Sequence, residues 1–228
     1  MVNAVLSLFT YGVAWAFVQP VIRWTGLQKV GLLRWLGLGI VPEVIFSFLF
    51  LDLSFYYWHR LNHRWPLLWR FHNVHHFDPD LDVTTAFRFH FGEVMLSSVF
   101  RGIQMLLIGV NLEVLAAFEI SFQLATFFHH SNWKLPFRFE KALNRVFVGP
   151  RLHGIHHSQN QQETNSNYSV IFSCWDRWHG TLKETSPSQD ITIGVAGYDT
   201  DADNQLKTAL LSPLVPQRDY WLKALDAK

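Results

Sequence analysis

Four stretches of this chain are too long and too poor in charge to be surface elements of a soluble domain, and they restrict the fold more than any other feature. Residues 1–22 carry no charged side chain, residues 35–57 carry only Glu43 and Asp52, and 92–110 and 112–129 are two more apolar runs joined by a short connection. At a helical rise of about 1.5 Å per residue, runs of this length can cross a hydrocarbon layer of about 30 Å. Trp35, Tyr56, Tyr57 and Trp58 flank the second run, where amphipathic rings favour the membrane interface. The connection near Gly109 to Leu112 forces the last two runs into an antiparallel helical hairpin. The expected architecture is all-α, an integral membrane helical bundle of three to four transmembrane helices with a histidine-rich helical catalytic region. A signal peptide is the competing reading of the first run. Ala14-Trp15-Ala16 favours it, and the missing positive segment before the apolar run counts against it.

Composition agrees with a membrane protein. Only 16% of the 228 residues are charged, against about 25% in a soluble domain, and the length suits one domain. A net charge of +1 without a local basic stripe gives nothing to attract nucleic acid. Cys174 is the single cysteine, so neither a disulfide scaffold nor a thiolate zinc site can form. Gly37 and Gly39 do not make a dinucleotide fingerprint, and there is no repeat or phosphate loop.

Between and after the apolar runs lie two hydrophilic blocks, 59–91 and 130–183, which hold every histidine except His129. A hairpin returns the chain to the side it left, so the two blocks face one side and can share a site. Arg60, Arg64, Arg70 and Arg88, with seven more basic residues from Lys134 to Lys183, place that side in the cytoplasm. Arg23, Lys29 and Arg34 would then lie outside, which leaves the first segment open to an interfacial or re-entrant reading. Three parts follow: N-terminal transmembrane helices (1–58), a histidine-box region that includes the hairpin 92–129 (59–183), and a C-terminal tail (184–228). The tail holds Pro187, Pro213, Pro216 and a weakly amphipathic stretch from Leu206 to Leu211.

The histidines carry the chemistry. His59 and His63 are an i, i+4 pair sharing one helical face; His72, His75 and His76 add i, i+3 and i+4 on one face; His153, His156 and His157 repeat that spacing. Neutral imidazole suits iron, zinc, copper or nickel, and eight are too many for one ion of four to six ligands, so two metals are expected. His90 and His130 are further candidate ligands outside the boxes. Glu119, Gln123, Thr126 and His130 fall at steps of four, three and four, a polar stripe that should face the protein interior. Arg101, about as far before the hairpin turn as Glu119 is after it, is positioned to pair with Glu119. His129 and His179 read as satisfied core or surface groups, and Asn62, Asn73 and Asn132 as caps or neighbours of ligands.

The ordered set Leu51 to His63, Leu68 to His76, Phe87 to Glu93, His130-Ser-Asn132, His153 to Ser158, Ser166-Asn-Tyr168, Trp175-Asp-Arg177 and Gly180-Thr181 resembles the fatty acid hydroxylase, or sterol desaturase, superfamily over about residues 40–182. The resemblance implies an integral membrane oxygenase or desaturase with a dinuclear, usually iron, centre acting on a lipid. His59, His63, His72, His75, His76, His153, His156 and His157 match its boxes, and His90 and His130 match its additional histidines. Gly154, Phe77, Ser169 and the pair Trp178-His179 depart from its common residues without removing a ligand.

The expected reaction is dioxygen-dependent hydroxylation of a lipid C–H bond at two iron ions, with zinc possible in purified material and desaturation open on the same centre. The chain carries no flavin, nicotinamide or haem motif, so a separate electron-transfer protein is the expected partner. Asp52, one heptad before His59, and Glu93, three residues after His90, are expected to orient imidazoles, with Asn132 beside them. Two rivals are a dizinc lipid hydrolase, opposed by the lack of a carboxylate inside any box, and a membrane metal carrier, opposed by histidines lying outside the spans.

Overall fold

The computed structural model describes residues 2–185, 190–219 and 221, with backbone alone for residues 2–11. Among the described residues it is all-helical, with two isolated bridges, Phe147 to Phe172 and Ser158 to Ile193, in place of any strand. In chain order the helices are α1 (Val2–Gln28), α2 (Leu32–Leu36), α3 (Ile40–Arg64), α4 (Pro66–His76), α5 (Phe91–Ile108), α6 (Leu112–His130), α7 (Phe137–Leu143), α8 (Pro150–His156), α9 (Gln161–Thr164), α10 (Cys174–Trp178) and α11 (Leu206–Leu211). Short 3-10 turns occupy Val83–Phe87 and Ser212–Leu214.

Two local features set the direction of the chain around the histidines. Trp65 precedes Pro66, is extended at ψ 114, and ends α3 while starting α4. Proline at the first helical position needs no N–H partner, and it keeps the residue before it out of the helical region. The second box is thereby folded back against the first. At the opposite end of the bundle, Gly31 and Gly109 both have positive φ, 114 and 75, and a Cβ built on Gly31 would lie 2.3 Å from the Gly109 Cα. The α1–α2 and α5–α6 turns touch backbone to backbone, which only glycine permits.

Helices α3, α5 and α6 share a core of Leu51, Met105, Leu115 and Phe118, onto which Val170 and Ile171 pack. Helix α1 lies along α5. Arg101 on α5 and Glu119 on α6 meet at 2.9 Å, the pairing that their spacing about the turn suggests. Among the described residues two helices, α3 and α5, are long and apolar enough to cross a membrane. The sequence suggests three to four. Helix α1 carries Pro20 and Arg23, and α6 carries Glu113, Glu119 and two terminal histidines.

The tail closes over the box region. Tyr198 stacks on Phe77 with ring centroids 4.2 Å apart, and Arg88 donates to Asn204 Oδ1 at 2.6 Å. Asn73 donates to Gln217 Oε1 at 2.9 Å. Pro187 lies outside the described residues.

Candidate metal centre

The box histidines and His130 converge into two adjoining groups. His59, His63, His72, His76 and His156 form one; His75, His130, His153 and His157 form the other; within each, the ligand atoms lie within 4.8 Å of one another. All nine are buried, with exposures from 0 to 9%.

The second and third boxes are not each spent on one group. Steps of three and four residues along a helix differ by about 100° of rotation. His72 and His76 therefore face the first group while His75 turns to the second. The third box does the reverse, with His153 and His157 in the second group and His156 in the first. His76 and His157 stack where the groups meet, ring centroids 4.2 Å apart. The second and third boxes, whose spacing suggests one helical face each, divide between the two groups because that spacing spans too wide an arc.

Hydrogen bonds fix the tautomers of four rings. Nδ1 of His59 donates to the Tyr168 carbonyl at 2.7 Å, that of His156 to the Ser166 carbonyl at 2.7 Å, and that of His130 to the Thr126 carbonyl at 2.8 Å. Nδ1 of His72 donates to Glu93 Oε1 at 2.7 Å. A proton held at Nδ1 leaves Nε2 as a bare lone pair, the form in which imidazole binds a metal. His130 Nε2 stands 3.1 Å from His75 Nε2 and 3.0 Å from His153 Nε2, and His153 Nε2 stands 3.1 Å from His157 Nε2. Lone pairs at this separation match ligand atoms each about 2.1 Å from a common ion. Other ring nitrogens, including both of His63, Nδ1 of His75, His76, His153 and His157, and Nε2 of His156, are buried without a partner. An unsatisfied buried polar atom costs about 1–3 kcal/mol, which coordination would remove wherever the atom is a ligand. The donor set fits a pair of nitrogen-ligated metal ions.

The loop that supplies two of these carbonyls is held by buried carboxylates. Asn167 adopts φ 51, a left-handed conformation that asparagine tolerates, between Ser166 and Tyr168, and its amide donates to the Leu152 and Lys183 carbonyls at 2.9 Å each. Asp176 accepts from the Tyr168 and Ser169 N–H groups at 2.8 Å each and from the Thr181 hydroxyl at 2.7 Å. Asp52 accepts from the N–H groups of Ile171 and Phe172 and from Trp175 Nε1, at 3.2, 3.0 and 2.8 Å.

Several expectations are corrected here. Asp52 touches no imidazole in these contacts; its heptad spacing from His59 is real, but its oxygens are used by the 171–175 segment. His90 stands apart from both groups. Its Nδ1 accepts from the Gly92 N–H at 3.0 Å, capping α5, and its Nε2 donates to the Leu210 carbonyl at 3.2 Å. Asn132 is exposed just beyond α6 and belongs to neither group. His129 is buried against His153, ring centroids 4.0 Å apart. His179 bonds Tyr57 Oη and the Trp175 carbonyl, as a satisfied group should. Sequence reasoning missed the carbonyls of Ser166, Tyr168 and Thr126 and the bracing role of Asp176. The only signal was that Ser166-Asn-Tyr168 and Trp175-Asp-Arg177 belong to the recurring pattern.

A cavity of about 190 Å³, open on one side, runs from His59, His72, His75, His130 and His153 down between α5 and α6 to Arg101 and Glu119. Phe55, Phe100 and Phe122 supply apolar wall, and the stripe Glu119, Gln123, Thr126, His130 faces it as its periodicity suggests.

Burial, and then the charge of neighbouring imidazoles, holds His75, His76, His153 and His157 well below the usual 6.5, and burial holds His156 down at about 3. An unfolded histidine titrates near 6.5, so below that pH the unfolded chain takes up protons that the folded chain refuses. Stability of the metal-stripped chain is therefore full above about pH 6.5 and falls as the pH drops, by up to ~1.4 kcal/mol per pH unit for each such histidine. Thermal unfolding of the stripped chain at pH 7 and pH 5.5 should show a clear fall, and equal midpoints would contradict the neutral cluster.

The model of the family described as fatty acid hydroxylase matches residues 44–181. The chain is 30% identical over 155 residues to an ornithine lipid hydroxylase of Rhizobium tropici, covering 68% of this chain and 46% of that protein. It is 27% identical over 181 residues to a cholesterol 25-hydroxylase-like protein of Danio rerio, covering 78% of this chain and 70% of that one. To the alkylglycerol monooxygenase of Homo sapiens it is 28% identical over 138 residues, 60% of this chain and 30% of the relative. The chain spans about half the length of the curated relatives it matches. No solved structure gives a significant match.

Proposed function

The chain belongs to the fatty acid hydroxylase family, and on that premise we propose that it is a membrane-bound, dioxygen-dependent lipid hydroxylase with two iron ions held by its histidine groups. The observation that carries this reading is the pair of adjoining groups of five and four buried imidazoles at the head of a cavity that is open on one side. The relatives named as lipid hydroxylases and a monooxygenase support it. His59, His63, His72, His76 and His156 would hold one ion, and His75, His130, His153 and His157 the other. When bound, such a pair supplies the redox capacity to reduce dioxygen and oxidise an unactivated C–H bond.

The protein's own contribution is orientation and exclusion of water. The carbonyls of Tyr168, Ser166 and Thr126 and the Glu93 carboxylate hold four rings with their Nε2 atoms inward. Glu93 Oε2 is buried without a partner, and the residue lines the cavity beside the His72 ring that it orients. The phenylalanine walls keep the reacting carbon dry. The balance is R–H + O2 + 2e⁻ + 2H⁺ → R–OH + H2O, and the electrons come from a separate electron-transfer protein. Helices α1 and α6 join α3 and α5 as spans, and the histidine groups lie at the cytoplasmic face, where Arg60, Arg64 and Arg70 follow the α3 span.

Reaction of the purified, iron-loaded chain with a lipid extract, a reductant and ¹⁸O2 tests this. One ¹⁸O atom should enter a lipid product, and none should without the reductant. Lipid cleavage that needs neither dioxygen nor reductant would overturn the reading in favour of a hydrolase.

A further inference from the structure

The far half of the cavity is more polar than a channel for a hydrocarbon tail requires. Arg101 is held there: Nε meets Glu119 Oε1 at 2.9 Å, Nη1 donates to Gln104 Oε1 at 2.6 Å, and the guanidinium lies 5.6 Å from the Phe118 ring centre. Gln104 in turn donates to Ser54 Oγ at 2.5 Å, tying the pair to α3. The net charge of this end is zero and its geometry is fixed.

Gln123 differs. It stands one turn from Glu119 on the histidine side, it lines the cavity, and its Nε2 is buried without a hydrogen-bond partner. A buried amide N–H is costly unless an acceptor meets it. Lipid chains offer none, and Glu119 Oε1 is taken by Arg101, so an acceptor carried into the cavity by the ligand would satisfy the amide.

We propose that Gln123, backed by the Arg101–Glu119 pair, is a recognition subsite for a neutral oxygen acceptor (hydroxyl, ether or carbonyl) on a lipid that is oxidised far from that oxygen. The inference rests on reading this cavity as the hydroxylase substrate site, and it narrows the substrate class. Gln123 and Glu119 lie seven and eleven residues before His130 on α6, about 10 and 16 Å along the helix axis. An extended chain advances about 1.2 Å per bond, which separates the oxygen from the oxidised carbon by roughly nine to thirteen bonds. Wholly apolar lipids, and lipids oxidised beside their headgroup, do not fit.

Binding can be read without turnover, so failure here is distinct from failure of the hydroxylase reading. The full chain in phospholipid nanodiscs is titrated with 1-alkanols of six to eighteen carbons and with the matching alkanes, following thermal unfolding. Stabilisation of the wild type should peak at roughly ten to fourteen carbons for the alkanols and be absent for the alkanes. Gln123→Leu should melt normally without ligand, lose the length optimum, and bind the best alkanol about five- to tenfold more weakly; Gln123→Met replaces it if the leucine variant is unstable. Equal effects of alkanes and alkanols, no optimum, or an optimum retained without Gln123 would overturn the subsite.

Discussion

His130→Ala is expected to empty one metal position, leave the other largely loaded, and reduce turnover by well over a hundredfold. His130 sits in the middle of its group, with Nε2 3.1 Å from that of His75 and 3.0 Å from that of His153, while the first group contains none of its atoms. Loss of residues that only orient ligands typically costs 10–100-fold, so loss of a central ligand should cost more. Two neighbours give the contrast. His129→Asn and His90→Asn should both keep two ions per chain, because neither ring belongs to a group, even though His129 is adjacent in sequence and equally buried. Metal analysis of the three variants distinguishes them. A full complement in His130→Ala, or a halved one in His90→Asn, would contradict the assignment.

Asp176→Ala should be the most damaging change outside the histidines. It would strand the buried Tyr168 and Ser169 N–H groups, now bonded at 2.8 Å each, and leave the Thr181 hydroxyl with Tyr56 Oη as its side-chain partner. Bonds to a charged acceptor are worth about 1.5–3 kcal/mol each, and breaking such a buried set costs roughly 3–5 kcal/mol. The consequence reaches the metals through the backbone. Once the 166–169 turn relaxes, the Ser166 and Tyr168 carbonyls no longer fix His156 and His59, and metal should be held about 10–100-fold more weakly in the first group. Asp176→Asn keeps one acceptor and should lie between. Thermal unfolding with a chelator titration reads both effects, and a loss of stability under ~1 kcal/mol would show that the carboxylate does not brace the turn.

Much of this arrangement is legible in the sequence because it depends on periodicity. The i, i+3, i+4 spacing of the boxes, the stripe from Glu119 to His130, and the placement of Arg101 and Glu119 about a short turn each specify a side of a helix; the structure keeps the stripe and the pair, and brings the boxes together while dividing two of them between two groups. Long-range contacts are less legible. Asp52 stands at the right helical interval to serve His59, but Ile171, Phe172 and Trp175, over a hundred residues on, claim its oxygens. His90 has a ligand's chemistry but sits where a helix starts, and its Nδ1 caps that start instead. The division of each HxxHH box between two groups depends on how α4 and α8 are juxtaposed, which spacing within one helix cannot report. The carbonyls of Thr126, Ser166 and Tyr168 have no side-chain signature at all.

The most direct measurement is elemental analysis of the purified chain after iron loading, beside His75→Ala and His156→Ala, which each remove a ligand from a different group. Two adjoining imidazole groups predict about two irons per wild-type chain and about one in each variant. One ion or none in the wild type, or equal content in all three proteins, would contradict a dinuclear centre built from these histidines.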